Sequence, residues 1–301
     1  MGIFTKKFKD NKKYIERVDN NGIFDNRFSD ALPQTTVADA VRKHWAQDNG
    51  KKKKAVIIGF DGARADSMVY IIKSNNSAVT GSNYTSKYSA VAELKKQGGL
   101  YMSFAGGIAN DKKTMQETST AQGWAAILTG KWGCENGVVK HVAKKNECPT
   151  VLMELARKGI ETSFLAIWPD HFNITYKDEI ALVEKENVPM LYEKLDNDEK
   201  LHSAFLRDID SDRDCIFGIY ELPDMNGHSF GFGDDDYKYV MSVCDLDRCA
   251  YELIKHIESR PTYQQEDWLI IITSDHGGHG RGHGTQMTED RMTFIACNKK
   301  L

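Results

Sequence analysis

The 301-residue sequence has only six cysteines. None falls in a C-x-x-C pair, which argues against a disulfide scaffold and against a cysteine zinc site. Cys134 and Cys148 are the pair that would bridge in an exported protein; reduced thiols in or near the core are the expectation. Long hydrophobic runs are also missing. The longest, residues 268–273, is strand-sized, far short of the roughly 20 residues that span a bilayer. The N-terminus carries basic residues without an apolar segment and cleavage site, and Lys6 stands where a myristoylation signal needs Ser or Thr. The chain therefore reads as cytoplasmic. Nor is there an excess of one charge: 40 basic and 43 acidic side chains leave a net charge of −3, giving no global reason to bind nucleic acid.

A hydrophobic content of 41% is enough for a substantial core and excludes a disordered chain. Residues 1–50 are polar and interrupted, with a turn at 20–22, a breaker at Pro33 and a helix expected over 37–47. They read as an N-terminal extension, followed by a single catalytic domain over 51–301. The run Lys51–Lys54 would be a solvated edge ahead of the strand behind it, with a phosphate or membrane patch as the alternative. Strands are expected at 55–59, 100–104, 162–167, 215–220, 268–273 and 292–296. Helices are expected near 86–97, 121–128, 151–158, 188–206 and 237–259. Such alternation predicts an α/β fold, doubly wound around a mostly parallel sheet with helices on both faces. Ligands gather at the carboxyl ends of the strands in such folds.

Three of these strands run into loops that carry acids or histidines. The first ends in Gly59-Phe-Asp61-Gly62, and the 215–220 strand leads through Glu221 and Pro223 to Asp224 and His228. The 268–273 strand leads through Ser274 to Asp275, His276, His279, Arg281 and His283. Imidazole with carboxylate is a ligand set for zinc, and for manganese where oxygen predominates. Pro223 and Gly227 favour a loop around Asp224 and His228. Adjacent Asp275 and His276 point to opposite faces of a regular strand, so they converge only if the backbone has left it. Each piece alone is weak; together they mark one edge of one sheet. The hydroxyl cluster Thr118-Ser119-Thr120 enters a short apolar helix closed by Gly130. It is either a helix cap or a nucleophile at a helix start that offers N–H groups to phosphate.

The order of these parts resembles the alkaline phosphatase superfamily. It runs from a strand into Asp61, to a hydroxyl before a helix ending Thr129-Gly130, to Pro223-Asp224-Met-Asn-Gly227-His228, and then to Asp275-His276-Gly277. It is most similar to the type I phosphodiesterase/nucleotide pyrophosphatase branch, over residues 52–297. Counting back from Thr129-Gly130 puts Thr120 at the nucleophile position. The resemblance implies two divalent metal ions, zinc with manganese as the alternative. Asp61, Thr120, Asp275 and His276 would surround one ion. Asp224, His228 and a late histidine would surround the other. His283 is taken over His279 as that last ligand, because its Gly-His-Gly setting matches the family's order. His279, Arg281 and Gln122 are then supporting or substrate-facing groups.

The implied activity is phosphodiester hydrolysis through a phospho-threonine. Monoester or phosphonate hydrolysis is the alternative, and a non-catalytic metal-binding relative is the remote one. The partner would be a small phosphate ester; the oligomeric state is open. The chain also departs from the pattern. Nucleotide-cleaving relatives carry an aromatic residue directly after the nucleophile and an asparagine two residues further on, where Ala121 and Gly123 stand here. No Cys/Ser-x-Pro-x-Arg setting surrounds the threonine, which disfavours sulfatase chemistry. The rims expected around the site are the 74–85 loop and the 131–147 segment.

Overall fold

The computed structural model describes residues 31–67, 88–140, 146–233 and 236–301. The expected 20–22 turn, the basic N-terminus and the 74–85 rim lie outside the described residues. Eight strands form one sheet in the order β1-β3-β8-β7-β2-β6-β4-β5. They are β1 Leu32–Pro33, β2 Lys52–Phe60, β3 Gly99–Phe104, β4 Thr162–Ala166, β5 Met190–Lys194, β6 Cys215–Tyr220, β7 Glu266–Thr273 and β8 Met292–Cys297. β8 runs antiparallel to β3 and β7, and every other pair is parallel.

β2 lies between β6 and β7 and is buried on both faces, which is why its sequence is nearly continuous in apolar residues. Successive side chains of a strand point to opposite faces. Val56, Ile58 and Phe60 accordingly join one core cluster with Val243 and Leu253. Ala55 and Ile57 join the other with Trp124, Ile127 and Leu152. Helices cover both faces, as the doubly wound expectation required: α1 Thr36–Ala46, α2 Ala90–Gln97, α3 Thr120–Thr129, α4 Val151–Ala156, α5 Lys177–Glu186, α6 Asp198–Asp210, α7 Leu222–Phe230 and α8 Tyr237–Glu258.

The helix expected over 188–206 is two elements. Met190–Lys194 adds the edge strand β5 beside β4, and Asn197 then caps α6 by accepting the Lys200 N–H. Pairing with β4 outweighs the local helical pattern there. α5 was not expected at all; Glu179 is its only buried residue, so the helix shows little apolar periodicity. The lysine run is not a freely solvated edge. Lys52 meets Asp212 at 2.6 Å and Lys53 meets Asp267 at 2.6 Å; Lys54, fully buried, meets Asp212 at 2.8 Å. The neighbouring strands begin at the same sheet edge and bring these acids with them.

Residues 31–50 pack onto this frame. Val37, Ala38 and Val41 of α1 enter the second core cluster. Gln34 Nε2 donates to the Gly123 carbonyl at 2.8 Å, and Arg42 donates to the Thr129 carbonyl at 2.8 Å, so α3 is held near both ends. All six cysteines are free thiols; Cys215, Cys244 and Cys297 are buried and Cys134 is exposed. No helix among the described residues is long and apolar enough to cross a membrane.

Candidate active site

Asp61, Asp224 and Asp275 follow the ends of β2, β6 and β7, the three central strands, so the parallel register brings them to one edge. Asp275 and His276 lie past Thr273, where β7 has ended, and this lets adjacent side chains converge. His276 Nε2 is 3.4 Å from Asp275 Oδ2 and 3.4 Å from Asp61 Oδ1. Asp224 and His228 sit on helix α7 rather than the expected loop. Pro223 falls in its first turn, where a missing N–H costs little. Their i, i+4 spacing puts His228 Nε2 3.4 Å from Asp224 Oδ2.

His283 comes to this group and His279 does not. His283 Nε2 lies 3.2 Å from His228 Nε2, and its ring stacks on His276 at 3.9 Å between centroids. His279 Nδ1 instead meets Asp290 at 2.6 Å. Arg281 is exposed and contributes its backbone carbonyl to His228 at 3.0 Å. Gln122 is buried and donates to Glu117 at 3.1 Å.

Two compact sets of donors result, Asp61/Asp275/His276 and Asp224/His276/His283, each with one ligand atom per residue lying within 4.8 Å of the others. The tautomers follow from the backbone. Nδ1 of His228, His276 and His283 rests on the carbonyls of Arg281, Gly277 and Thr118 at 3.0, 2.7 and 3.0 Å. A carbonyl only accepts, so each Nδ1 carries the hydrogen and each Nε2 is turned towards the carboxylates. Asp61 Oδ1, Asp224 Oδ1 and Asp275 Oδ2 are buried without a hydrogen-bond partner. Buried orphan oxygens beside imidazole Nε2 atoms fit divalent cations.

The electrostatics of the metal-free side chains agree. Burial, then the neighbouring Asp224, holds Asp61 well above the usual carboxylate range. Burial, then Asp61, does the same to Asp275. Asp224 goes the other way: burial opposes its ionisation, but the His228 hydrogen bond and the charges of His276 and His283 outweigh it. His228 is raised to about 9 by its Asp224 hydrogen bond, while burial and then His276 push His283 down to about 3.

Thr120 opens α3 with Ser119 as its cap, and its Oγ1 is 3.4 Å from His276 Nε2. Trp124 is fully buried and donates its indole N–H to Asp61 Oδ2 at 2.9 Å. A Cβ at Gly59 would sit 2.4 Å from that indole, and one at Gly123 would sit 2.5 Å from the Asp275 carbonyl oxygen. Neither position has room for a side chain, so asparagine at 123 is sterically excluded in this packing.

Three contributors were not found from sequence. Buried Arg64 donates to the carbonyls of Phe232 and Gly278 at 3.1 Å each and ties together the loops after α7 and β7. Trp168 and Glu221 line a pocket of about 200 Å³ with Asp61, Thr120, Asp224, His228 and His283. Glu221 is raised to about 8 by burial, then by Asp61 and Asp198. Its place directly after β6 was the one available signal.

Comparison with known proteins bears on the fold and the family. Murine ectonucleotide pyrophosphatase/phosphodiesterase 5, solved as an inactive variant with AMP, is 18% identical over 75% of this chain, with a TM-score of 0.49. This chain spans 57% of that protein's length. An alkaline phosphatase superfamily protein from Vibrio parahaemolyticus is 12% identical over 89% of this chain and 70% of its own, at a TM-score of 0.50. A 2-O glycosaminoglycan sulfatase is 12% identical over 83% and 64%, at a TM-score of 0.51. The last two share the fold. No curated protein matches the sequence. The model of the type I phosphodiesterase/nucleotide pyrophosphatase family matches residues 16–280, and the chain belongs to that family.

Proposed function

We propose that the protein is a two-metal phosphate ester hydrolase, a phosphodiesterase with Thr120 as its nucleophile. The observation that carries this reading is the convergence of three imidazole Nε2 atoms and three orphaned carboxylate oxygens beside a hydroxyl at a helix start. Asp61, Thr120, Asp275 and His276 would hold one divalent ion, and Asp224, His228 and His283 the other, with His276 close to both. Zinc suits this donor set, with manganese as the alternative; when bound, the ions neutralise phosphate charge and ease ionisation of the Thr120 hydroxyl.

Thr120 Oγ attacks phosphorus in line, forming a phospho-threonine as the bond to the departing alcohol breaks. Water then cleaves that ester, releasing the phosphate product and regenerating the hydroxyl. The free N–H groups at the start of α3 hold phosphate oxygens throughout. Trp124 fixes Asp61 through the indole hydrogen bond, and the three backbone carbonyls orient the imidazoles. In this reading residues 51–301 are the catalytic unit and residues 1–50 an extension, from which Gln34 and Arg42 brace the nucleophile helix.

A second reading, monoester or phosphonate hydrolysis at the same site, draws support from the small pocket and from Ala121 and Gly123. Hydrolysis of bis-p-nitrophenyl phosphate and p-nitrophenyl phosphate, with and without chelator, tests both. Thr120→Ala should lose activity roughly 10³-fold or more while keeping its metal. Near-full activity in that variant would refute the mechanism. Absence of chelator-sensitive turnover on both substrates favours a non-catalytic metal-binding relative.

A further inference from the structure

Trp168 and Glu221 line the pocket but are neither nucleophile nor candidate ligand. Ala121 stands where nucleotide-cleaving relatives carry an aromatic residue. In this fold Trp168, reached through the segment after β4, packs against Ala121, Ala125 and Val138. An edge contact with His171, at 4.9 Å and 88°, sets the plane of its ring. An indole from a different element thus occupies the space beside the residue that follows the nucleophile.

Glu221 is equally fixed. Its backbone N–H donates to Asp198 Oδ1 at 2.9 Å, and its carboxyl receives the Trp168 backbone N–H. The remaining oxygen, Oε1, is buried and has no hydrogen-bond partner. That oxygen is short of a donor. The pocket of about 200 Å³ is smaller than the roughly 300–1,000 Å³ of pockets for drug-sized ligands, so it suits a short-chain group better than a nucleoside.

We propose that Trp168 and Glu221 form the subsite for the alcohol esterified to phosphorus, and that this alcohol is small and bears a primary ammonium. The ammonium donates to Glu221 Oε1 in a charge-assisted hydrogen bond, and the indole covers its methylenes and stabilises its charge. A primary ammonium fits better than a quaternary one because the orphaned oxygen needs an N–H donor. The subsite rests on the phosphoesterase reading.

The test is calorimetric binding of phosphoethanolamine to the zinc-loaded protein, against propyl phosphate as its isostere without the ammonium, AMP and inorganic phosphate. Phosphoethanolamine should bind at least tenfold more tightly than propyl phosphate. That ratio should collapse towards one in Glu221→Gln, fall in Trp168→Leu and recover in Trp168→Phe, with zinc content unchanged by mass spectrometry. A wild-type ratio near one, AMP as the tightest ligand, or a full ratio in Glu221→Gln overturns the subsite. Loss of a zinc ion from Glu221→Gln also overturns it, by making Glu221 a ligand. Chelator-sensitive hydrolysis of bis-p-nitrophenyl phosphate, measured alongside, separates the two failures: if it persists while the ratio fails, only the subsite falls.

Discussion

Each of the three histidines that meet at the site gives its Nδ1 hydrogen to a main-chain carbonyl, so protonation of Nε2 competes directly with a metal. His228 makes this measurable. Its pKa is raised from 6.5 to about 9 by the Asp224 hydrogen bond. A raised folded-state value means that the stabilisation is full below 6.5 and is lost as pH climbs through about 9. Zinc needs the neutral ring and so binds more tightly over the same interval. The gap in melting temperature between zinc-loaded and metal-free protein should therefore widen from pH 6.5 to 9. Melts at three pH values decide it: a constant gap would mean that His228 Nε2 is not a ligand. At this scale the sequence was informative where a residue type is rare in its role. Asp224, His228, Asp275 and His276 stood out as carboxylate–imidazole pairs after strands. Trp168 did not, because nothing in its local sequence says which segment it will face.

Helix α3 and the loop after β7 are separated by almost nothing at Gly123. A Cβ there would lie 2.5 Å from the Asp275 carbonyl oxygen and 2.6 Å from its Cβ, against backbone that cannot step aside cheaply. Gly123→Ala should destabilise the fold by ~1–3 kcal/mol, the usual penalty for overpacking, and should weaken zinc binding by displacing Asp275. Urea denaturation and a zinc competition assay test this. A variant unchanged in both would show that the two elements have room to separate. The positions of β2, β6 and β7 were legible because a strand buried on both faces must be apolar along most of its length. β5 was not, since its burial is partial and its pairing partner lies elsewhere in the chain.

Three carboxylates and three imidazoles carried by different strands and loops form one charged focus in the molecule. Without cations, burial and the neighbouring carboxylates hold Asp61 and Asp275 well above the usual carboxylate range. A ligand present at a thousand times its dissociation constant stabilises a fold by about 4 kcal/mol. For a domain of this size that corresponds to roughly 5–10 °C in melting temperature. Chelation should lower the midpoint by that amount and re-addition of zinc should restore it. A melt indifferent to chelator would contradict metal binding at the site.

Along the chain, the periodicity of apolar runs and the chemistry of the residues that follow them were enough to fix the α/β class and the mostly parallel sheet, and to single out Asp224, His228, Asp275 and His276 as residues that would lie at one sheet edge. These are local properties, readable in a window of a few residues. The tertiary structure alone decided the rest. It carried His283, already preferred over His279 from the family resemblance, back onto His276 through a turn after β7 and left His279 on Asp290. It made Trp124 a hydrogen-bond donor to Asp61 across the sheet, and it brought Trp168 and Glu221 to the pocket beside Thr120. Each of those contacts joins segments far apart in sequence, and their proximity is set by strand order and helix packing, which no local pattern encodes.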